Sequence, residues 1–183
     1  MPESELYFLA FIPPEDISRD LWDLKQQVAR KFLCKASLRS PPHVTLHMPF
    51  RWPEKKKEKL KKALTHFCKD ISPCTIEFNG FGAFPPKVIY IHIETNSHLA
   101  TLQKYLCQLM AQKMSIHNAN YQNKPFRPHL TIAFRDIKKN QFQKAWDFYK
   151  DKKYEVSCNI DQLTLLRHNT HRWEPECDFQ LGG

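Results

Sequence analysis

Arg127-Pro128-His129-Leu130-Thr131-Ile132-Ala133-Phe134-Arg135 is the stretch whose reading decides the fold. β-branched and aromatic residues follow a proline that can open a strand but not sit inside one, so the stretch reads as a strand. Side chains alternate along a strand, which puts His129, Thr131, Ala133 and Arg135 on one face and Leu130, Ile132 and Phe134 on the other. The apolar face suits a core, and the opposite face offers an imidazole, a hydroxyl and a guanidinium to a phosphate. A lone His-x-Thr of this kind is most often an ordinary half-exposed strand. Here the pattern occurs twice. Pro42-His43-Val44-Thr45-Leu46 carries the same signature 86 residues earlier, and each copy leads through Phe-Arg (Phe50-Arg51, Phe134-Arg135) to a lysine-rich helical segment.

Working outward, the same order of elements precedes and follows each copy. Leu6 to Ile12 is a continuous apolar strand, and Glu15 to Phe32 has helical spacing at Ile17, Leu21, Leu24, Val28 and Phe32. The first motif strand runs from His43 to Phe50, then a helix from Glu54 to Cys68 and a strand over Cys74–Phe78, ending in a turn at Gly80 and Gly82. The order restarts with a strand over Val88–Ile93, a helix capped by Ser97 and reaching about Met114, and a polar loop from His117 to Lys124. The second motif strand follows, then a helix from Lys138 to Lys150, strand over Tyr154–Arg167, and a short last strand over Cys177–Leu181.

The predicted fold is therefore α+β. It is a single bilobal domain over 1–183, built from pseudo-twofold duplicated β-α-β-α-β units with two mostly antiparallel sheets facing a central cleft. The first repeat spans about 5–84 and the second about 88–167, with a C-terminal strand to 181. Phe84-Pro85-Pro86-Lys87 is the expected linker, and each repeat is expected to build its own sheet.

Composition narrows the function. Four glycines and no glycine-rich phosphate loop leave any phosphate to side chains or helix ends. The net charge of +9 favours a polyanionic partner, although solvated lysines account for it equally well. Six cysteines without C-x-x-C spacing read as reduced, mostly buried thiols of a cytoplasmic protein. No 18-residue apolar run is present, so no membrane partner is expected.

Two imidazoles on facing strands can divide acid–base work. One, neutral, takes a proton from an attacking oxygen while the other, charged, gives a proton to a leaving oxygen; each role contributes roughly 10²- to 10⁴-fold. Thr45 and Thr131 would hold non-bridging phosphate oxygens, and an arginine would offset the charge that builds there. A shared metal fits poorly, since His43 and His47, four apart on a strand, stand roughly 13 Å from each other. No metal site is predicted. His47 reads as exposed. His92 reads as a satisfied, half-buried histidine, with lining of the cleft as the alternative. His168, His171 and Arg172, in the loop Arg167–Trp173, are candidate substrate contacts.

The paired Pro-His-Val-Thr-Leu (42–46) and Pro-His-Leu-Thr-Ile (128–132) motifs resemble those of the two-histidine phosphoesterase superfamily. Within it, the chain is most similar to the bacterial 2′-5′ RNA ligase/cyclic phosphodiesterase family. The resemblance implies action on RNA 2′,3′-cyclic phosphate ends or 2′-5′ linkages, with His43 and His129 as the catalytic pair and Thr45 and Thr131 as phosphate ligands. It also implies no metal and no cofactor, RNA ends or cyclic nucleotides as partners, and a monomer. The usual product, a 2′-phosphate, would make His43 the acid and His129 the base, although the pseudo-symmetry admits the reverse. The family often has an arginine five residues after the second histidine. Here Phe134 stands there, and Arg135 takes the role only if the strand stays regular. Tyr7, Phe50 and Tyr90 are candidate base-stacking residues. A non-catalytic RNA or nucleotide binder, or a hydrolase of a small cyclic phosphate, are the alternative readings.

Overall fold

The computed structural model describes residues 4–94, 96–117 and 125–182. The polar loop expected over 117–124 lies outside the described residues from 118 onward. Eight strands and four α-helices run β1 (Ser4–Phe11), α1 (Glu15–Phe32), β2 (Val44–Pro53), α2 (Lys57–Lys69), β3 (Cys74–Phe84), β4 (Val88–Ile93), α3 (Ser97–Met114), β5 (His129–Ala133), α4 (Lys139–Tyr149), β6 (Glu155–Ile160), β7 (Gln162–His168) and β8 (Trp173–Gln180). Short 3₁₀ turns at Ala36–Arg39 and Glu54–Lys56 precede β2 and α2.

α1 forms where the apolar period predicts, with Glu15 and Asp16 in its first turn and Arg30 and Lys31 in its last, as the helix dipole favours. Asn96, rather than the expected Ser97, caps α3: its side-chain oxygen accepts from the Leu99 N–H at 2.7 Å.

All strand pairs are antiparallel, in the order β6-β3-β4-β5-β2-β1-β7-β8. The α+β class and the antiparallel pairing match the expectation. In place of two separate sheets there is one eight-stranded sheet, whose four-stranded halves are joined through a single register pair, Val44 with Leu130.

The halves do not follow the repeats. β3 leaves the first unit to pair with β4 and β6, while β7 crosses back to pair with β1. The expected linker is the tight β3–β4 hairpin, in which Lys87 N–H donates to Phe84 O at 3.3 Å. The expected turn at Gly80 and Gly82 is instead a continuation of β3, with a bulge between Phe78 and Phe81 and Gly80 at φ +68°. Only Asp161 separates β6 in one half from β7 in the other, so the sheet must curl back on itself.

The helix-side face carries the main core, including Tyr7, Leu9, Phe11, Leu21, Val28, Val44, Leu64, Leu106, Leu130 and Ile132. The opposite face carries a small cluster of Phe8, Ala10 and Leu166, flanked by Ile12 and Trp173. All six cysteines are free, and four of them are buried. No helix among the described residues is long and apolar enough to cross a membrane.

Candidate active site

Pairing of Val44 with Leu130 fixes what lies opposite what. Both residues point into the helix-side core. Their neighbours therefore point into the concave face, and antiparallel counting sets His43 toward Thr131 and Thr45 toward His129. The two histidines are then diagonal neighbours, a relation that separates side-chain roots by about 7–8 Å.

Each imidazole is held in the same way. His43 Nδ1 lies 2.7 Å from the Pro41 carbonyl and His129 Nδ1 lies 2.8 Å from the Arg127 carbonyl. A carbonyl only accepts, so Nδ1 carries the proton in both rings and Nε2 is left to exchange protons with a ligand. The X-Pro-His sequence produces this locally. Proline restricts the residue before it to extended backbone, and it brings the carbonyl two residues back under the ring.

Contacts between the halves hold the two rings in place. Ser37 Oγ donates to Ile132 O at 2.9 Å, and the Asp136 carboxylate accepts from Lys35 N, Ala36 N and Cys34 Sγ at 2.9, 3.0 and 3.0 Å. The segment leading to His43 is thus clamped to the end of the strand that carries His129.

The surroundings differ. Phe8 lies against His43 (centroids 4.8 Å), Trp173 against Phe8 (4.6 Å) and His168 against Trp173 (4.8 Å). His129 contacts Tyr90 (5.1 Å) and Phe84 (5.3 Å), which lie 4.6 Å from each other. The Tyr90 ring reclines over Gly82, where an added Cβ would come within 2.5 Å of it. Gly82 is needed for that close approach. Desolvation, with smaller contributions from the Lys25 charge and from His129, pushes the His43 imidazole down to about 4. Desolvation also lowers His129, partly opposed by its bond to the Arg127 carbonyl. Both rings are neutral near pH 7.

Of the expected substrate contacts, Tyr90 and His168 reach the concave face. Tyr7 and Phe50 do not. Tyr7 is fully buried on the helix side and donates to Glu54 Oε2 at 3.0 Å, and Phe50, 3 % exposed, packs in the same core. The Arg172 guanidinium bonds Glu174 at 2.7 Å, and Glu174 pairs across from Arg167, whose partner Tyr7 is on the helix side. Arg172 is thereby engaged away from the histidines.

Arg135 fails the alternation argument. β5 ends at Ala133, and Arg135 lies exposed in left-handed backbone (φ +61°) with its guanidinium over the Phe134 ring. His47 is 0 % exposed rather than exposed. The register shift between Leu9 and Ala10 is a bulge that turns Leu46 and His47 to the same core side. Gln103 of α3 donates to the Leu46 carbonyl at 3.2 Å, His47 Nδ1 bonds Met48 O at 2.9 Å, and His47 Nε2 has no partner.

His92 sits opposite His129 in the ladder, on the concave face, and approaches Glu94 at 3.8 Å. Sequence reasoning missed Phe8, Trp173, Phe84, Gly82 and Lys25. The signal for Lys25 was present: it falls on the apolar stripe of α1, one residue after Leu24. Among the described residues no three His, Cys, Asp or Glu side chains are arranged to hold a metal ion.

A profile of the 2′-5′ RNA ligase superfamily matches residues 13–172. A Bacillus cytotoxicus protein named as a phosphoesterase is 34% identical over 145 residues, covering 78% of this chain and 80% of its own. A Geobacillus kaustophilus protein of the same name is 26% identical over 183 residues, 97% of this chain and 96% of its own. Among solved structures, TT0787 of Thermus thermophilus superposes with a TM-score of 0.72 at 19% identity, covering 97% of this chain and 98% of that one. E. coli LigT, crystallised with 3′-AMP, gives 0.72 at 17% identity over 99% and 100%.

Proposed function

The chain belongs to the 2′-5′ RNA ligase superfamily, and we propose that it is a metal-independent phosphoesterase that opens 2′,3′-cyclic phosphate ends of RNA or of nucleotides. One observation carries this reading. Two imidazoles at diagonal positions of adjacent strands each spend Nδ1 on a carbonyl two residues back, and this leaves Nε2 of both rings free for a ligand.

The steps balance around the phosphorus. Nε2 of His129 removes a proton from water, the water oxygen bonds phosphorus, the bond to the 3′ oxygen breaks, and Nε2 of His43 protonates that oxygen. A 2′-phosphate and a free 3′ hydroxyl result. Thr45 and Thr131 hydrogen-bond the non-bridging oxygens as charge builds. Because both rings are neutral in the free protein, the acid is made on binding: an anion between them raises their affinity for a proton. Ligation is the same chemistry with an RNA hydroxyl in place of water, so 2′-5′ ligation would use the same residues.

The test is incubation with a 2′,3′-cyclic mononucleotide in EDTA, expected to yield the 2′-monophosphate. Binding that persists without turnover would instead identify a nucleotide-binding protein. Turnover of small non-nucleotide cyclic phosphates alone would identify the alternative hydrolase.

A further inference from the structure

The described residues contain one buried lysine or arginine, and it lies behind His43. Lys25 is 1 % exposed on the core-facing stripe of α1, among Leu21, Val28 and Phe32. Its Nζ donates to the Ser40 carbonyl at 2.7 Å and approaches the Trp22 ring at 5.4 Å. Fold stability gives no reason for a cation here. A methionine would fill the space without desolvating a charge, and a buried ammonium with one neutral acceptor is costly.

What Lys25 touches is the start of the strut that ends at His43. The next carbonyl along, that of Pro41, is the one that accepts from His43 Nδ1. We propose that Lys25 is the positioning residue of the His43 half, pinning the Ser40–Pro41–Pro42 backbone so that His43 keeps its proton on Nδ1 and presents Nε2 to the phosphate.

This rests on the acid–base reading above and adds a residue that the paired motifs do not contain. Among the described residues the second half shows no such prop: the counterpart of Ser40 is half-buried Phe126, and no other lysine or arginine is buried. The Lys25 charge and the Pro41 bond act on His43 in opposite directions: Lys25, itself lowered to about 7 by desolvation, disfavours the imidazolium, whereas the Pro41 carbonyl favours it. The groups acting on His43 are Lys25 from α1, His129 from β5 and the Pro41 carbonyl, while Phe8 of β1 contributes an uncharged ring. No charged partner acts on Lys25 beyond this; burial alone shifts it.

Two measurements on the full chain decide the matter. In Lys25→Met, imidazole ¹⁵N spectra should show His43 losing its fixed tautomer and its protonation midpoint rising by about one pH unit, with His129 unmoved. kcat on a 2′,3′-cyclic mononucleotide should fall roughly tenfold with KM within about twofold, while Tm holds or rises. An unchanged His43 spectrum and kcat would overturn the proposal. In the unsubstituted protein, the His43 ring resonances should shift as the Lys25 side chain titrates, and independent titration would overturn it without recourse to a variant. Neither spectrum requires turnover. A wild-type protein that failed to cleave would refute the proposed activity and leave the Lys25–His43 coupling standing.

Discussion

His43 and His129 occupy matched positions on adjacent strands, with the same Pro-His-x-Thr signature and the same bond from Nδ1 to a carbonyl two residues back. Their environments are not matched. His43 lies among Phe8, Trp173 and His168 and has a buried lysine behind it, whereas His129 lies beside Tyr90 and Phe84, with Tyr90 folded down over Gly82. Symmetric features come from residues within two positions of each histidine. Asymmetric ones come from β1, β3, β4, β7, β8 and α1, which are distant in sequence. A duplicated motif thus supplies two equal imidazoles, and long-range packing makes them different.

The sharpest test of equality is removal of either ring. His43→Ala and His129→Ala should each lower kcat/KM on a 2′,3′-cyclic mononucleotide by at least roughly 10²-fold with binding retained. Comparable activity in either variant would remove that residue from the mechanism. Next come the hydroxyls: Thr45→Val and Thr131→Val should each cost roughly ten- to a hundredfold in kcat, as expected for hydrogen bonds to a charged group. A large loss from only one would show that the phosphate leans on one half.

The depressed histidines also predict acid sensitivity. In the unfolded chain their protonation lies near 6.5, while in the fold His43 is pushed down to about 4 and His47 and His129 are lowered by burial. Between those values the unfolded chain binds protons that the folded one refuses. Their contribution is therefore intact above about pH 6.5 and is lost as pH falls toward 4. Thermal melts across that window should show the decline, and a flat Tm would contradict the desolvation of these rings.

Smaller effects separate the aromatic surroundings. Gly82→Ala should lift Tyr90 off β3 and raise KM by about two- to tenfold through loss of ring contacts, with kcat less affected. Smallest is Arg172→Ala. Its partner is half-buried Glu174 rather than the cleft, so activity should stay within about twofold.

Sequence alone marked most of the elements and the paired Pro-His-x-Thr positions, because both rest on short-range regularities, although the single strand expected over Tyr154–Arg167 is two, β6 and β7. Apolar spacing marks α1 from Glu15 to Phe32, alternation marks the motif strands, and proline before histidine sets the ring tautomer. Tertiary structure decided the rest. A one-residue bulge carried His47 into the core, the end of β5 at Ala133 removed Arg135 from the histidine face, and strand exchange put β3 and β7 in the opposite halves. Alternation cannot foresee a bulge, since one added residue reverses every side chain beyond it. Likewise, spacing put Lys25 on the apolar stripe of α1 but could not supply its acceptor, a carbonyl fifteen residues on, because burial of a charge is settled only by the partner that the folded chain brings to it.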